Sequence, residues 1–278
     1  MHKYFRFLII ALSFTACKRS KKPTKLSSAQ ANVIVVDKQF EILKLNRSRK
    51  IRIYLPKTYW ESEEKYPVMY MHDGQSLFDN ATSDGEEWSV DESLNQLSDS
   101  SNLNLIVVGI DSGPKRMNEF SPWDNKKYGK GEGQEYMDFI VNQIKPFVDS
   151  TYRTLPNREN TAIMGASMGG FISHYAIYKY PDIFSKAGLL SASYWFSDKV
   201  YDFTLNNPIP KDSRLFLIAG KKEGWDNVLP NYQKMFNTIS RTGHSKKNLN
   251  YIIDPDGKHN VASWKKQFIP AVKWLFNQ

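Results

Sequence analysis

Gly165-Ala166-Ser167-Met168-Gly169-Gly170 sets a serine among small residues, directly after the apolar run Thr161-Ala162-Ile163-Met164. A G-x-S-x-G between a strand and a helix is the spacing of a nucleophile elbow, a turn that lifts the serine hydroxyl clear of a sheet. Glycines are expected two residues either side of the serine, because side chains there would strike so sharp a turn. The flanks agree: a β-type run ends at Ala166, and Phe171 to Tyr180 reads as a buried helix stopped by Pro181.

A serine hydroxyl is a weak nucleophile at neutral pH, so the reading requires a base and a group that orients it. The chain has five histidines. His259 fits best, in the turn Asp256-Gly257-Lys258-His259-Asn260 between the strand-like Leu249 to Ile253 and a terminal helix carrying Trp264, Phe268, Val272, Trp274 and Leu275. A loop after the last strand is where this architecture carries its histidine. His174 falls on the helix after the serine, where it packs or caps, and His244 falls in a polar stretch. The orienting acid should follow the strand Arg214 to Ala219. The loop there, Gly220-Lys221-Lys222-Glu223-Gly224-Trp225-Asp226, offers both Glu223 and Asp226, and spacing does not separate them.

The oxyanion formed on attack needs two backbone N–H donors, one from the residue after the nucleophile and one from a loop after an earlier strand. These are Met168 and, in the glycine turn His72-Asp73-Gly74-Gln75 after the strand Tyr66 to Met71, Gln75. His72-Asp73 has no further ligands at metal-binding spacing, and the chain has no H-E-x-x-H or Cys/His cluster, so neither metal nor cofactor is expected.

Taken in order, Lys50 to Pro56, Met71-His72-Asp73-Gly74-Gln75, Gly165 to Gly170, Gly220-Lys221-Lys222-Glu223, and His259 near Trp264 resemble the putative-esterase family of α/β-hydrolases. That family takes in enterochelin-type siderophore esterases, feruloyl and acetylxylan esterases, esterase D relatives and mycolyltransferases. The resemblance covers roughly residues 33 to 278. It implies a single-domain α/β fold, a mostly parallel sheet with helices on both faces. It also implies Ser167 as nucleophile, His259 as base and Glu223, three residues after Gly220, as acid, with Gln75 and Met168 giving the oxyanion amides. Carbohydrate-linked, phenolic or siderophore esters are the implied substrates. Acyl transfer by the same triad, or a non-catalytic carbohydrate- or siderophore-binding role, are the alternatives.

The N-terminus carries a separate message. Basic His2, Lys3 and Arg6 precede the apolar run Phe7 to Phe14, too short to span a bilayer but suited to a signal-peptide core, and Thr15-Ala16-Cys17 follows. Residues 1–16 are expected to be a signal peptide. Cys17, the sole cysteine, is then lipidated, residues 17–32 form a basic tether, and the catalytic domain occupies 33–278, held at a bacterial cell envelope. The tether explains the charge. Of the formal net charge of +9, residues 1–31 contribute +7 and contain no acidic residue, leaving +2 on the rest. A near-neutral body excludes a broad nucleic-acid footprint, whereas a basic stretch beside a lipid anchor suits anionic headgroups.

Several elements must position these residues. Strand-like runs lie at Val33 to Leu45, Lys50 to Pro56, Tyr66 to His72, Asn104 to Ile110, Thr161 to Ala166, Phe184 to Leu190, Arg214 to Ala219 and Leu249 to Ile253, and a helix over Gln134 to Ser150 shows one apolar face. Long loops at 111–133 and 191–213 follow strands on the catalytic edge. Their aromatics, with Trp88 and Trp225, are expected to wall the substrate site, led by Trp88, Trp123, Trp195 and Trp225.

Overall fold

The computed structural model describes residues 25–276, so the expected signal peptide and Cys17 lie outside the described residues. The strands are β1 (Val33–Val35), β2 (Phe40–Ile42), β3 (Arg47–Arg49), β4 (Ile51–Tyr54), β5 (Val68–His72), β6 (Ile106–Ile110), β7 (Thr161–Ala166), β8 (Lys186–Leu190), β9 (Arg214–Gly220) and β10 (Leu249–Asp254). Eight of them form one sheet in the order β1-β4-β6-β5-β7-β8-β9-β10. The six from β6 to β10 run parallel, while β4 is antiparallel to β6 and β1 to β4. The run Val33 to Leu45, expected as one strand, divides: β1 joins the sheet edge, whereas β2 turns away to pair with β3 in a separate ribbon.

The apolar runs in the central strands are unbroken because both faces are covered. Along β5, Val68 and Tyr70 face one core with Phe171, Tyr136 and Ile177; Met69 and Met71 face the other with Leu94, Phe268 and Val272. Helices α1 (Val90–Ser101) and α8 (Val261–Phe276) supply the second core. The first is built from α3 (Gly133–Phe139), α4 (Lys145–Thr151), α5 (Met168–Lys179), α6 (Lys199–Asn206) and α7 (Val228–Arg241), with the short α2 (Arg116–Glu119) in the loop after β6. The helix expected over Gln134 to Ser150 is interrupted by a π turn, Ile140–Ile144. Pro146, at the start of α4, has no N–H for the α-helical bond to Asn142, and the wider turn takes up that defect.

Chain order places the site. From β5 the chain crosses to β6 on one side and then returns to build β7 on the other, so the crevice beyond the strand ends opens between β5 and β7. That reversal is where open α/β sheets bind ligands. The turn Gly74-Gln75 and Ser167 both leave the sheet there.

Residues 25–32, expected as part of the tether, instead lie along the domain. Lys25 Nζ donates to the carbonyls of Ser83 (3.1 Å) and Gly85 (2.6 Å), Ser28 Oγ to Glu87 (2.7 Å), and the Gln30 amide to buried Asp91 (2.9 Å). The sequence there is uncharged after Lys25 and has no apolar periodicity, and its contacts are ammonium, hydroxyl and backbone hydrogen bonds that no hydrophobic pattern announces.

Two of the buried histidines, His72 and His174, are held by hydroxyl partners. His72 bonds Tyr136 Oη through Nδ1 (2.9 Å), and His174 bonds Tyr194 Oη (3.1 Å) and Thr204 Oγ1 (2.8 Å). Burial lowers both to about 3, so the folded state keeps them neutral. A histidine with a depressed folded pKa gives its full stability above the unfolded value and loses it as pH falls below that value, because only the unfolded chain takes up the proton. In urea titrations between about pH 6 and 4, His174→Gln should flatten the acid loss of stability relative to the native chain by about 1.4 kcal/mol per pH unit. Identical slopes would contradict a neutral buried His174.

Candidate active site

The turn at Ser167 has φ 57° and ψ −124°, a conformation that L-residues avoid and that costs about 1–3 kcal/mol. Three backbone bonds hold it: Ser167 N–H to Leu190 O (2.9 Å), Phe171 N–H to Ser167 O (3.0 Å) and Ser193 N–H to Ser167 O (3.1 Å). Gly165 is required because a Cβ there would lie 2.6 Å from the Gly169 carbonyl carbon. The expected symmetry does not hold for Gly169, whose added Cβ would meet nothing nearer than 3.5 Å, the Asp73 carboxylate and the His72 Cβ. Gly169 lies against Gly165 through its backbone, and its open side faces the turn after β5.

The acid and histidine loops are brought together by a second close approach. A Cβ on Gly220 would fall 2.2 Å from Gly257 O, and one on Gly257 2.7 Å from Gly220 Cα. Lys221 N–H bonds Asp254 O (2.8 Å) and Lys222 N–H bonds Gly257 O (2.9 Å), so the loops after β9 and β10 form one unit. From it Glu223 and His259 face each other. His259 Nδ1 lies 2.8 Å from Glu223 Oε2, and Nε2 lies 2.9 Å from Ser167 Oγ.

Glu223 is buried, and its other oxygen accepts from Ser191 Oγ (2.6 Å) and from the Gly220 amide (2.6 Å). Burial alone raises a carboxyl pKa; here the hydrogen bonds from His259, Ser191 and Gly220 outweigh it and hold Glu223 below the ordinary value. A carboxylate only accepts, so Nδ1 carries the ring proton and Nε2 is left to accept from Ser167. Asp226 is exposed, and the carboxylate paired with His259 is Glu223. His174 lies in the core, and His244 lies in the connection entering β10, at the opposite end of the sheet from Ser167.

Gln75 sits in the one-turn 3-10 helix Gly74–Ser76, pinned by its side chain: Nε2 donates to Ser112 Oγ (2.9 Å), and Oε1 accepts from the Ser112 amide (3.0 Å). Its carbonyl accepts from Thr82 Oγ1 (2.7 Å). The turn is reached through Asp73 in the left-handed region, φ 59°, gripped by Arg116 Nε (2.6 Å) and Nη2 (2.7 Å). Burial raises Asp73, but the guanidinium prevails and keeps it ionised. Neither the Gln75 nor the Met168 amide donates to another group among the described residues.

Two cavities flank this centre. One, about 440 Å³, is lined by Lys127, Tyr128, Trp195, Trp225 and Asn227 around Ser167 and His259. The other, about 570 Å³, is bounded by Gln75, Asp73, Arg116 and Ala166, with Trp88 and Trp264 as its aromatic wall. Three of the four expected tryptophans therefore reach a cavity: Trp195 and Trp225 the first, Trp88 the second. Trp123 does not. Its ring packs on Phe171 (5.6 Å), Tyr175 (5.8 Å) and Phe203 (5.6 Å), which plugs the loop after β6 onto the core.

The sequence reading passed over Ser191, Ser193 and the chemistry of Trp264. Trp264 Nε1 donates to Ser191 Oγ (2.9 Å), which donates in turn to Glu223. The Trp264 ring meets the His259 ring at 5.1 Å and the Trp225 ring meets it at 4.8 Å, both near-perpendicular, so two indoles pack against the imidazole. Ser193 Oγ lies 3.2 Å from Ser167 Oγ. Serines in a loop give no periodic signal; their position directly after β8, beside the elbow, was the available clue.

The chain is similar to several known proteins. An uncharacterized Bacillus subtilis protein, YbbA, is 27% identical over 243 residues, 83% of this chain and 94% of YbbA. An endo-1,4-beta-xylanase/feruloyl esterase of Xylanibacter ruminicola is 23% identical over 232 residues, 81% of this chain but 29% of that longer protein. The crystal structure of an IroE-like serine hydrolase from Shewanella oneidensis superimposes with a TM-score of 0.72 at 22% identity, covering 87% of this chain and 80% of that one, which shows a shared fold. The family described as Putative esterase matches residues 43–275, and with that match spanning most of the chain, the protein belongs to the putative-esterase family and is a carboxylic ester hydrolase.

Proposed function

We propose that the enzyme cleaves esters through an acyl-enzyme on Ser167, with His259 as the base and Glu223 as the acid that orients it. The hydrogen-bonded line from Glu223 Oε2 through His259 to Ser167 Oγ, 2.8 and 2.9 Å, carries this reading. His259 Nε2 takes the serine proton as Oγ attacks the carbonyl carbon, and the imidazolium formed is stabilised by the Glu223 carboxylate. The Gln75 and Met168 amides, on either side of the crevice, receive the oxyanion. Collapse returns the proton from Nε2 to the leaving alcohol; water then repeats the sequence and frees Ser167.

For substrates, we infer esters bearing a ring, phenolic or sugar, that can lie against aromatic side chains. Tyr128, Trp195 and Trp225 offer ring faces beside the nucleophile, with Lys127 and Asn227 as polar contacts, and the second cavity leaves room for the other half of the molecule. The feruloyl esterase named among the relatives supports this choice.

With p-nitrophenyl butyrate and a feruloyl ester, Ser167→Ala should reduce turnover to the residue left by binding and the oxyanion donors. Glu223→Gln should lower kcat by about 10³ to 10⁴, since it removes the charge that selects the tautomer, while Asp226→Asn stays near normal. A crippled Asp226→Asn beside a normal Glu223→Gln would reassign the acid.

We further propose that the mature chain begins at a lipidated Cys17 and sits on a membrane of the cell envelope, supported by the short apolar core, the Ala16-Cys17 junction and the basic residues that follow. Expressed in a bacterial host, the protein should fractionate with membranes and be released by detergent, and Cys17→Ser should abolish that association. A soluble native chain retaining Met1 would contradict export.

A further inference from the structure

Ser193 is buried, and among the described residues the one hydrogen-bond partner of its hydroxyl is the nucleophile, Ser167 Oγ at 3.2 Å. The loop that carries it is fixed by bonds that do not use the Ser193 hydroxyl. Ser193 N–H donates to Ser167 O (3.1 Å), Phe196 N–H donates to Ser193 O (2.9 Å), and Tyr232 Oη accepts the neighbouring Ala192 amide.

The direction of the Ser193 to Ser167 bond follows from the rest of the network. Glu223 accepts the Nδ1 proton of His259, so Nε2 accepts, and the single proton of Ser167 is committed to Nε2. Ser167 Oγ has no proton left for Ser193, so Ser193 must donate to it. Resting on the reading of Ser167 as nucleophile, we propose that Ser193 is a further catalytic residue, a fixed donor that stabilises the negative charge on Ser167 Oγ while its proton resides on His259.

In acylation the Ser167 proton moves to Nε2 as the Oγ–carbon bond forms and the carbonyl electrons pass to the oxyanion. In deacylation the carbon–Oγ bond breaks, its electron pair stays on Oγ, and the proton on Nε2 is delivered there. In both steps Oγ passes through an alkoxide-like state, and a hydrogen bond to a charged acceptor is stronger than one to a neutral hydroxyl. The gain is therefore larger in the transition state than in the resting enzyme, which is the condition for acceleration. Ser193 itself transfers no proton.

The test is steady-state and burst kinetics with p-nitrophenyl butyrate on Ser193→Ala, Ser193→Thr and Ser193→Cys, each checked for an unchanged melting temperature. Ser193→Ala should lower kcat by about tenfold to a hundredfold with KM nearly constant, slowing both the burst and the steady phase. Ser193→Thr, or Ser193→Cys if the added methyl is not accommodated, should recover part of the loss. An Ala variant with normal kcat, a loss expressed in KM, or a kcat loss that neither replacement donor relieves would overturn the proposal. Full activity in Ser167→Ala would instead defeat the nucleophile assignment on which it rests.

Discussion

The backbone of Gly165 runs against the backbone of Gly169 with no room for a Cβ on Gly165, and this contact permits Ser167 to sit at φ 57° on the point of the turn. A strained residue persists only where its surroundings over-determine it. Here β7 is buried on both faces, α5 is buried along nearly its whole length, and Leu190 of the neighbouring β8 and Phe171 of α5 tie the turn to the sheet and the helix. Energy released by packing the strand and helix holds a conformation that the local sequence would not choose. The hydroxyl is thereby presented at the reversal of strand order, opposite the turn that carries Gln75.

A second constraint makes the hydroxyl useful. Burial pushes the Glu223 pKa up, yet three donors from three different segments meet it and outweigh that effect: His259, Ser191 and the Gly220 amide. Their sum keeps it ionised, and ionisation fixes which nitrogen of His259 carries the proton. Trp264 extends the chain of donors back to α8, so the helix that covers one face of the sheet also sets the orientation of the acid. Packing and proton chemistry are thus coupled through Ser191, a residue in the left-handed region at φ 46°.

How much of this was legible in the sequence depended on the kind of force involved. The parallel strands were legible because both faces are buried and their apolar runs are continuous, as in Val68 to Met71. The elbow was legible because sterics restrict it to glycine at 165. Glu223 and Asp226 were not separable by spacing, since three residues of loop place either one near His259; burial distinguishes them, and burial is a tertiary property. Ser191, Ser193 and the Trp264 N–H were invisible for a related reason: their partners are 26 to 73 residues distant in the chain. Trp123 shows the converse error, an aromatic in a functional loop whose ring is spent on the core.

The central claim is that Ser167 Oγ becomes covalently bonded to the acyl group. Rapid quenching of the enzyme in acid within the first turnovers of p-nitrophenyl butyrate, followed by intact-mass and peptide mass spectrometry, reads this directly. The account predicts one added butyryl group, located on the peptide containing Ser167 and absent from Ser167→Ala. Turnover with no covalent adduct at any quench time, or an adduct on another residue, would contradict it.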